Sequence, residues 1–235
     1  MTTDIRYWAV IPAAGVGTRM QAEVPKQYLS INNKAILAHT LELFCSHPKI
    51  EGVVVVISAK DEFWPTLDIS SHSKIIVTEG GVERCHSVLN GLNALLEKAD
   101  SNDWVLVHDA ARPCLRKEDI DCLIETLNGH EIGGLLGLPV RDTMKRADKS
   151  YTVQETVERE GLWHALTPQM FHLGILMESL KNALSKDLIV TDEAQSIELN
   201  GLKPVLVEGH SDNIKITCNY DLALAELYLC QQEKE

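Results

Sequence analysis

No stretch of this 235-residue chain approaches eighteen consecutive apolar residues, so the sequence offers no membrane-spanning helix. Basic residues are in deficit. Lys and Arg total 22 against 34 Asp and Glu, a formal net charge of −12, which opposes a nucleic-acid partner because phosphate backbones bind basic surfaces. The opening MTTDIRYWAV has no charged segment leading into a long apolar one, so no secretory leader is read there. The six cysteines, at 45, 85, 114, 122, 218 and 230, include no C-x-x-C pair, and the nine histidines no H-E-x-x-H. Neither a zinc-type site nor a disulfide framework is expected, and the reading is a cytoplasmic protein. Internal repeats and low-complexity linkers are lacking as well.

What is present is 45% apolar residues, enough for a sizeable core, arranged in short alternating blocks. Trp8–Ile11 reads as a buried strand running into AAGVGTRM. Leu37, Leu41, Phe44 and Pro48 follow at helical spacing, and the β-branched run Val53–Ile57 marks a strand covered on both faces. Ile75–Val77 is a third strand, stopped by Gly80 and Gly81. Val88, Leu92, Leu95 and Ala99 stripe a helix, Trp104–Val107 is a fourth strand, and Ile120, Leu123, Ile124 and Leu127 stripe another helix.

This alternation predicts a single-domain α/β fold around an open, mostly parallel, doubly wound (Rossmann-like) sheet. Such sheets take ligands beyond the carboxyl ends of their strands. That singles out the loops after strands one, three and four: AAGVGTRM, EGGVERCHS and HDAARP. The rhythm breaks after Pro139. Residues 141–158 are polar, lack a helical stripe and are too long for an ordinary connection, so they read as an arm projecting from one domain spanning 1–235. A helix near Leu173–Leu184, a strand at Val205–Val207 and a final helix from about Asp221 resume the pattern.

The glycine loop fails two familiar phosphate patterns. The dinucleotide fingerprint G-x-G-x-x-G needs a third glycine where Met20 stands, and an acidic residue about twenty positions on. Here the second strand ends only at Ile57-Ser58, which disfavours a dehydrogenase. The Walker pattern needs Gly-Lys where Met20-Gln21 stands. What remains is G-x-G-T-R, then Lys26 behind Pro25. Gly15 and Gly17 let backbone amides approach a triphosphate, while Arg19 and Lys26 place charge where negative charge grows on phosphorus. Taken alone, the same residues also suit an ordinary turn with two solvated cations.

The segments PAAGVGTRM, PKQYL, GGVERCHSV, VHDAARP, PVRDTMKR, WHALTPQMF, TDEAQ and DNIKIT occur in this order across residues 9–217. This set resembles the sugar-phosphate nucleotidyltransferases and, within them, the 2-C-methyl-D-erythritol 4-phosphate cytidylyltransferase family. PAAGxGxRM alone marks only the superfamily; the ordered set is far more specific. The resemblance implies that a phosphate monoester attacks the α-phosphorus of CTP in line and pyrophosphate leaves. The product is 4-diphosphocytidyl-2-C-methyl-D-erythritol, an intermediate of the non-mevalonate isoprenoid precursor pathway. The attacker is already ionised near neutral pH, so the site needs converging cations rather than a general base.

By resemblance, Arg19, Lys26 and Lys215 are the catalytic cations. Pro12, Ala13, Ala14, Gly15, Gly17, Gly80, Gly81 and Ser87 are implied to cradle the nucleotide, with the loop around Gly80 and Ser87 reading cytosine. Asp109 is implied to bind Mg²⁺ bridging the CTP phosphates; its alternative is a plain ion pair with Arg112. Asp109, Arg112, Thr143, Arg159, Thr167 and Thr191 are the implied set for the sugar-alcohol phosphate. From the residues alone, Thr191 also reads as a helix N-cap, Lys215 as a solvated lysine on a strand and His108 as structural. Val82 stands where some family members carry an acidic residue, which leaves base choice open if that side chain matters. In the family the arm crosses to a second subunit, with Thr143 and Arg159 serving the partner's site, so a homodimer is implied. Two rivals stay open here: a ribitol 5-phosphate cytidylyltransferase, and a protein that senses CTP without turnover.

Overall fold

The computed structural model describes residues 5–15 and 24–234; Gly17 and Arg19 lie outside the described residues. In chain order, β1 (Tyr7–Pro12) is followed by a small hairpin, β2 (Ser30–Ile31) and β3 (Lys34–Ala35), and then α1 (Ile36–Ser46). Next come β4 (Ile50–Ile57), β5 (Ile75–Glu79), α2 (Arg84–Asn93), β6 (Trp104–Val107) and α3 (Lys117–Thr126). The second half holds β7 (Gly133–Pro139), β8 (Met144–Ala147), β9 (Val153–Val157) and β10 (Trp163–His172). It closes with α4 (Leu173–Leu184), α5 (Glu193–Leu199), β11 (Val205–Glu208) and α6 (Asn219–Gln232).

Among the described residues the main sheet has seven strands in the order β11-β7-β10-β6-β1-β4-β5. Every neighbouring pair is parallel except those made by β10, which runs antiparallel to both β6 and β7. The continuous apolar run of β1 follows from burial on both faces. Ala9 and Ile11 enter one core layer with α1 and α3; Trp8 and Val10 enter the other with α2, α4 and α5. β4 repeats the division with Val53 and Val55 against Val54 and Val56. Each fully buried aliphatic side chain of this kind contributes roughly 1.5–3 kcal/mol, so the two layers hold the strand ends, and the loops beyond them, in fixed positions.

The expected strands and helices are present, with four differences. β7 and β10 carry no strand signal of the expected kind. β7 is glycine-rich because its neighbours approach closely: a methyl on Gly134 would lie 2.2 Å from the Val205 carbonyl oxygen. β10 contains Pro168, and its register with β7 shifts between Ala165 and Gln169. The arm is an antiparallel hairpin of β8 and β9, exposed along most of its length, so no buried face patterns its sequence. Lys215 does not stand on a strand. It lies on an irregular strap between β11 and α6, tied to the loop after β6 by the Ile216 N–H on the Ala111 carbonyl.

Candidate active site

The loops after β1, β5 and β6 open on one edge of the sheet and enclose a cavity of about 300 Å³. Pro12, Ala13, Ala14 and Gly15 form one wall, Gly81, Val82 and Ser87 a second, and Asp109, Ala110 and Ala111 the third. Lys26 and Lys215 also reach it, so the structure brings together most of the expected nucleotide set. Gly80 stands just behind the cavity lining. A methyl there would fall 2.3 Å from the Ala14 Cβ and 3.0 Å from the Ser87 hydroxyl. Close approach of the first and second walls therefore demands the glycine. Ser87 shapes its own loop: its hydroxyl accepts from the Gly81 N–H at 3.0 Å and donates to the Glu83 carbonyl at 3.3 Å. Val82 is 93% exposed at the rim.

Gln27, in the PKQYL segment, escaped the sequence reading. It is buried, and its amide donates to the Ala13 and Gly15 carbonyls at 2.7 and 3.1 Å. It thereby pins the stem of the glycine loop. Its neighbour Lys26 donates to the Ile216 carbonyl at 3.3 Å, joining that stem to the strap.

Asp109 is the electrostatic centre. Lys215 Nζ lies 2.8 Å from one carboxylate oxygen, with Arg112 Nε at 3.3 Å on the same oxygen and Arg84 Nε at 3.3 Å on the other. Burial alone would raise its pKa; Arg84, Lys215 and Arg112 outweigh that and hold the carboxyl well below the usual carboxylate range. The ion pair with Arg112 is thus real, yet Asp109 also faces the cavity. Arg84 and Glu193 are further residues that sequence reasoning missed. Arg84 Nη1 and Nη2 donate to the two Glu193 oxygens at 2.6 and 3.0 Å. Burial acts to lower the Arg84 pKa, but Glu193 and Asp109 drive it above its ordinary value, so its charge is permanent. Both residues sit inside the segments GGVERCHSV and TDEAQ, where a charged side chain beside the loop is their local signal.

Behind the site, His108 has its Nε2 3.0 Å from the Arg112 carbonyl and its Nδ1 3.0 Å from the Thr167 hydroxyl. A carbonyl only accepts, so Nε2 carries the proton and Nδ1 accepts from Thr167. The Thr167 hydroxyl in turn accepts from the Asp109 N–H at 3.1 Å. Burial lowers the His108 pKa to about 4, keeping the ring neutral, in keeping with its structural reading. Arg112 is held below the wall, where Nη1 donates to the Asn213 carbonyl at 2.8 Å. Thr40 and the Ile216 N–H bond the Ala110 and Ala111 carbonyls at 3.2 and 2.8 Å, completing the support of the loop.

The remaining expected substrate residues lie apart from this cavity in the single chain. Thr143 is exposed before β8, and Arg159, also exposed, donates to the Arg141 carbonyl. Thr191 is exposed and bonded to Gln195. The N-cap of α5 is Asp192, whose carboxylate accepts from the Gln195 N–H at 2.9 Å; Thr191 stands one residue too early to serve. Among the described residues no group of three or more His, Cys, Asp or Glu side chains could hold a metal unaided. Asp109 is a buried carboxylate at the cavity wall, and Glu83 lines the same cavity. One or two carboxylates are what magnesium commonly takes from a protein beside substrate phosphates, so the residues present fit that ion.

The 2-C-methyl-D-erythritol 4-phosphate cytidylyltransferase (IspD) family model matches residues 7–231. A protein of that name from Vibrio vulnificus is 52% identical over 225 residues, which is 96% of this chain and 95% of the relative. One from Tolumonas auensis is 50% identical over 97% of this chain and 99% of its own. The crystal structure of the Francisella tularensis enzyme superposes with a TM-score of 0.83 at 38% identity, covering 95% of this chain and 99% of that one. The sheet order, the three-walled cavity and the ordered motifs thus coincide with full-length likeness, and the chain belongs to the 2-C-methyl-D-erythritol 4-phosphate cytidylyltransferase family.

Proposed function

We propose that the protein transfers the cytidylyl group of CTP to 2-C-methyl-D-erythritol 4-phosphate, releasing pyrophosphate, as the names of its relatives state for them. The observation that carries the reading is the convergence of Arg84, Arg112 and Lys215 on Asp109, with Lys26 lining the same cavity of small residues. Two anions must meet there, and the positive groups offset their repulsion. Lys26 and Lys215 stand at the cavity, where their ammonium groups stabilise charge developing at the α-phosphorus; Arg19 of the glycine loop is assigned to the same task. Asp109 holds Lys215 in place until the triphosphate arrives. Ala110 and Ala111 leave room for substrate against the backbone. Gly15, Gly81 and the Ala13–Ala14 backbone receive the nucleotide.

Asp109 is assigned as the protein ligand of Mg²⁺, which supplies neutralising charge on the phosphates when bound. The methylerythritol phosphate is assigned to Arg112, Thr167 and Thr191 of one chain, with Thr143 and Arg159 contributed by the hairpin arm of a second in a homodimer. Among the described residues no helix is long and apolar enough to cross a membrane, in keeping with a cytoplasmic enzyme. Ribitol 5-phosphate is the competing acceptor; the names of the similar proteins favour methylerythritol phosphate.

Pyrophosphate release, measured for each of the four nucleoside triphosphates with each alcohol phosphate, tests the proposal. Release with CTP and methylerythritol phosphate is expected; its absence overturns the reading, and release only with ribitol phosphate replaces it.

A further inference from the structure

Glu193 is 1% exposed in the first turn of α5, a place where a lone carboxylate would be costly. Arg84 meets it with both terminal nitrogens, at 2.6 and 3.0 Å, the fork-to-fork geometry that fixes the plane of a guanidinium. That orientation leaves the remaining nitrogen, Nε, facing Asp109 at 3.3 Å. Arg84 and Asp109 line the cavity, whereas Glu193 stands behind them.

Glu193 cannot readily swing. The Ala194 N–H donates to the buried Gln169 side chain at 2.7 Å, and the Ser196 hydroxyl donates to the Glu193 carbonyl at 2.6 Å. Ala194 and Ile197 anchor the helix in the core. A buried ion pair is commonly no better for stability than well-packed apolar residues of similar volume. Holding one guanidinium in one orientation at a cavity wall, by contrast, requires a bidentate partner fixed in this way.

We infer that Glu193 is a positioning residue for nucleotidyl transfer, locking the Arg84 guanidinium so that it braces Asp109. The inference rests on the transferase reading above. It joins α5, the helix that follows Thr191, to the carboxylate at the triphosphate end through one rigid link. A shift of α5 is thereby felt at Asp109.

Steady-state kinetics of pyrophosphate release, with CTP and methylerythritol phosphate varied separately, test this on Glu193→Gln, Glu193→Asp, Arg84→Lys and the Glu193→Gln/Arg84→Lys pair. Each variant is assayed well below its own Tm. The isosteric Glu193→Gln is expected to lower kcat by up to about 100-fold, the cost of a small misplacement of a reacting group. Either KM should change by less than about threefold, because the lost term belongs to the transition state. Glu193→Asp, which keeps the carboxylate, should recover part of the loss. The double variant should be no slower than Arg84→Lys, which keeps the charge but loses the fork, since both changes break one link. A folded Glu193→Gln with wild-type kcat, whatever its loss of Tm, overturns the inference, as do losses that multiply in the double variant. Should Glu193→Gln not fold, Arg84→Lys decides: reduced kcat at unchanged KM supports the link, and wild-type kcat overturns it. A wild-type protein that releases no pyrophosphate overturns the transferase reading instead.

Discussion

The Asp109 N–H donates to the Thr167 hydroxyl at 3.1 Å, so β10, which runs antiparallel to its neighbours β6 and β7, helps set where the acidic group of the site stands. Thr167→Val removes both the acceptor of that N–H and the donor to His108 while keeping the volume. It should cost about 1–3 kcal/mol, the range for a buried polar group left without its partner. Thr167→Ser should recover most of it. Urea unfolding of the three proteins checks the order; equal midpoints for Val and wild type would contradict it.

Lys26→Ala and Lys215→Ala should each lower kcat by about 10²–10³, the scale for losing one preorganised charge-stabilising donor. The fold should remain intact, as read by circular dichroism. Asp109 keeps Arg84 and Arg112 when Lys215 is removed, so a buried uncompensated charge does not confuse the result. Near-normal turnover in either variant would remove that lysine from the transition state.

Gly80 and Gly15 separate packing from binding. A methyl on Gly80 collides with Ala14 at 2.3 Å, so Gly80→Ala should destabilise by about 1–3 kcal/mol, as overpacking does. Among the described residues nothing lies within 4 Å of a methyl on Gly15. With the nucleotide seated there as proposed, Gly15→Ala should leave Tm unchanged and still raise the KM for CTP. Unchanged KM there would mean that the nucleotide does not approach Gly15.

His108 gives the acid limb of stability a definite sign. Its folded pKa, lowered by burial to about 4, lies beneath the ordinary 6.5. A proton therefore binds the unfolded chain more readily. The stabilisation is complete above pH 6.5 and declines as pH falls towards 4, at a slope approaching about 1 kcal/mol per pH unit. His108→Gln removes this titration, so its stability should fall less steeply across that window. Buried His47 shifts in the same direction and remains in both proteins, which makes the difference in slope the quantity to measure.

If the hairpin arm joins two chains, its exposed tip is the place to break the assembly. Tyr151 and Val153 are 92% and 58% exposed. Replacing both with Ser should shift sedimentation from two chains towards one and lower activity with it. A wild-type protein that sediments as a single chain would remove the arm from this role.

The parts of the fold legible in the sequence are those whose pattern is set by burial alone. β1, β6 and the Val53–Ile57 stretch of β4 are apolar because both faces are covered. β7 was hidden because close neighbours replace its side chains with glycine, and β10 because Pro168 interrupts it. The arm was visible only as missing pattern, since neither of its faces is buried. In the site, phosphate-loop chemistry points to Gly15 and Lys26, which stand close together in the chain, and the family resemblance points to Asp109. Arg84 and Glu193 are 109 positions apart, and no local spacing announces such a pair. Lys215 was found through the motif around it; the residues alone suggested a strand, whereas hydrogen bonds from Ile216 to Ala111 and from Lys26 to Ile216 hold an irregular segment.

That strap has a consequence for the protein while it is being made. Lys26 leaves the ribosome early, but the carbonyl that receives its ammonium group belongs to Ile216. Domains generally fold as units during synthesis. The same strap supports the third wall of the cavity, where the Ile216 N–H donates to the Ala111 carbonyl and the Asn213 carbonyl accepts from Arg112. A growing chain therefore cannot finish this cavity until the segment after β11 has been made.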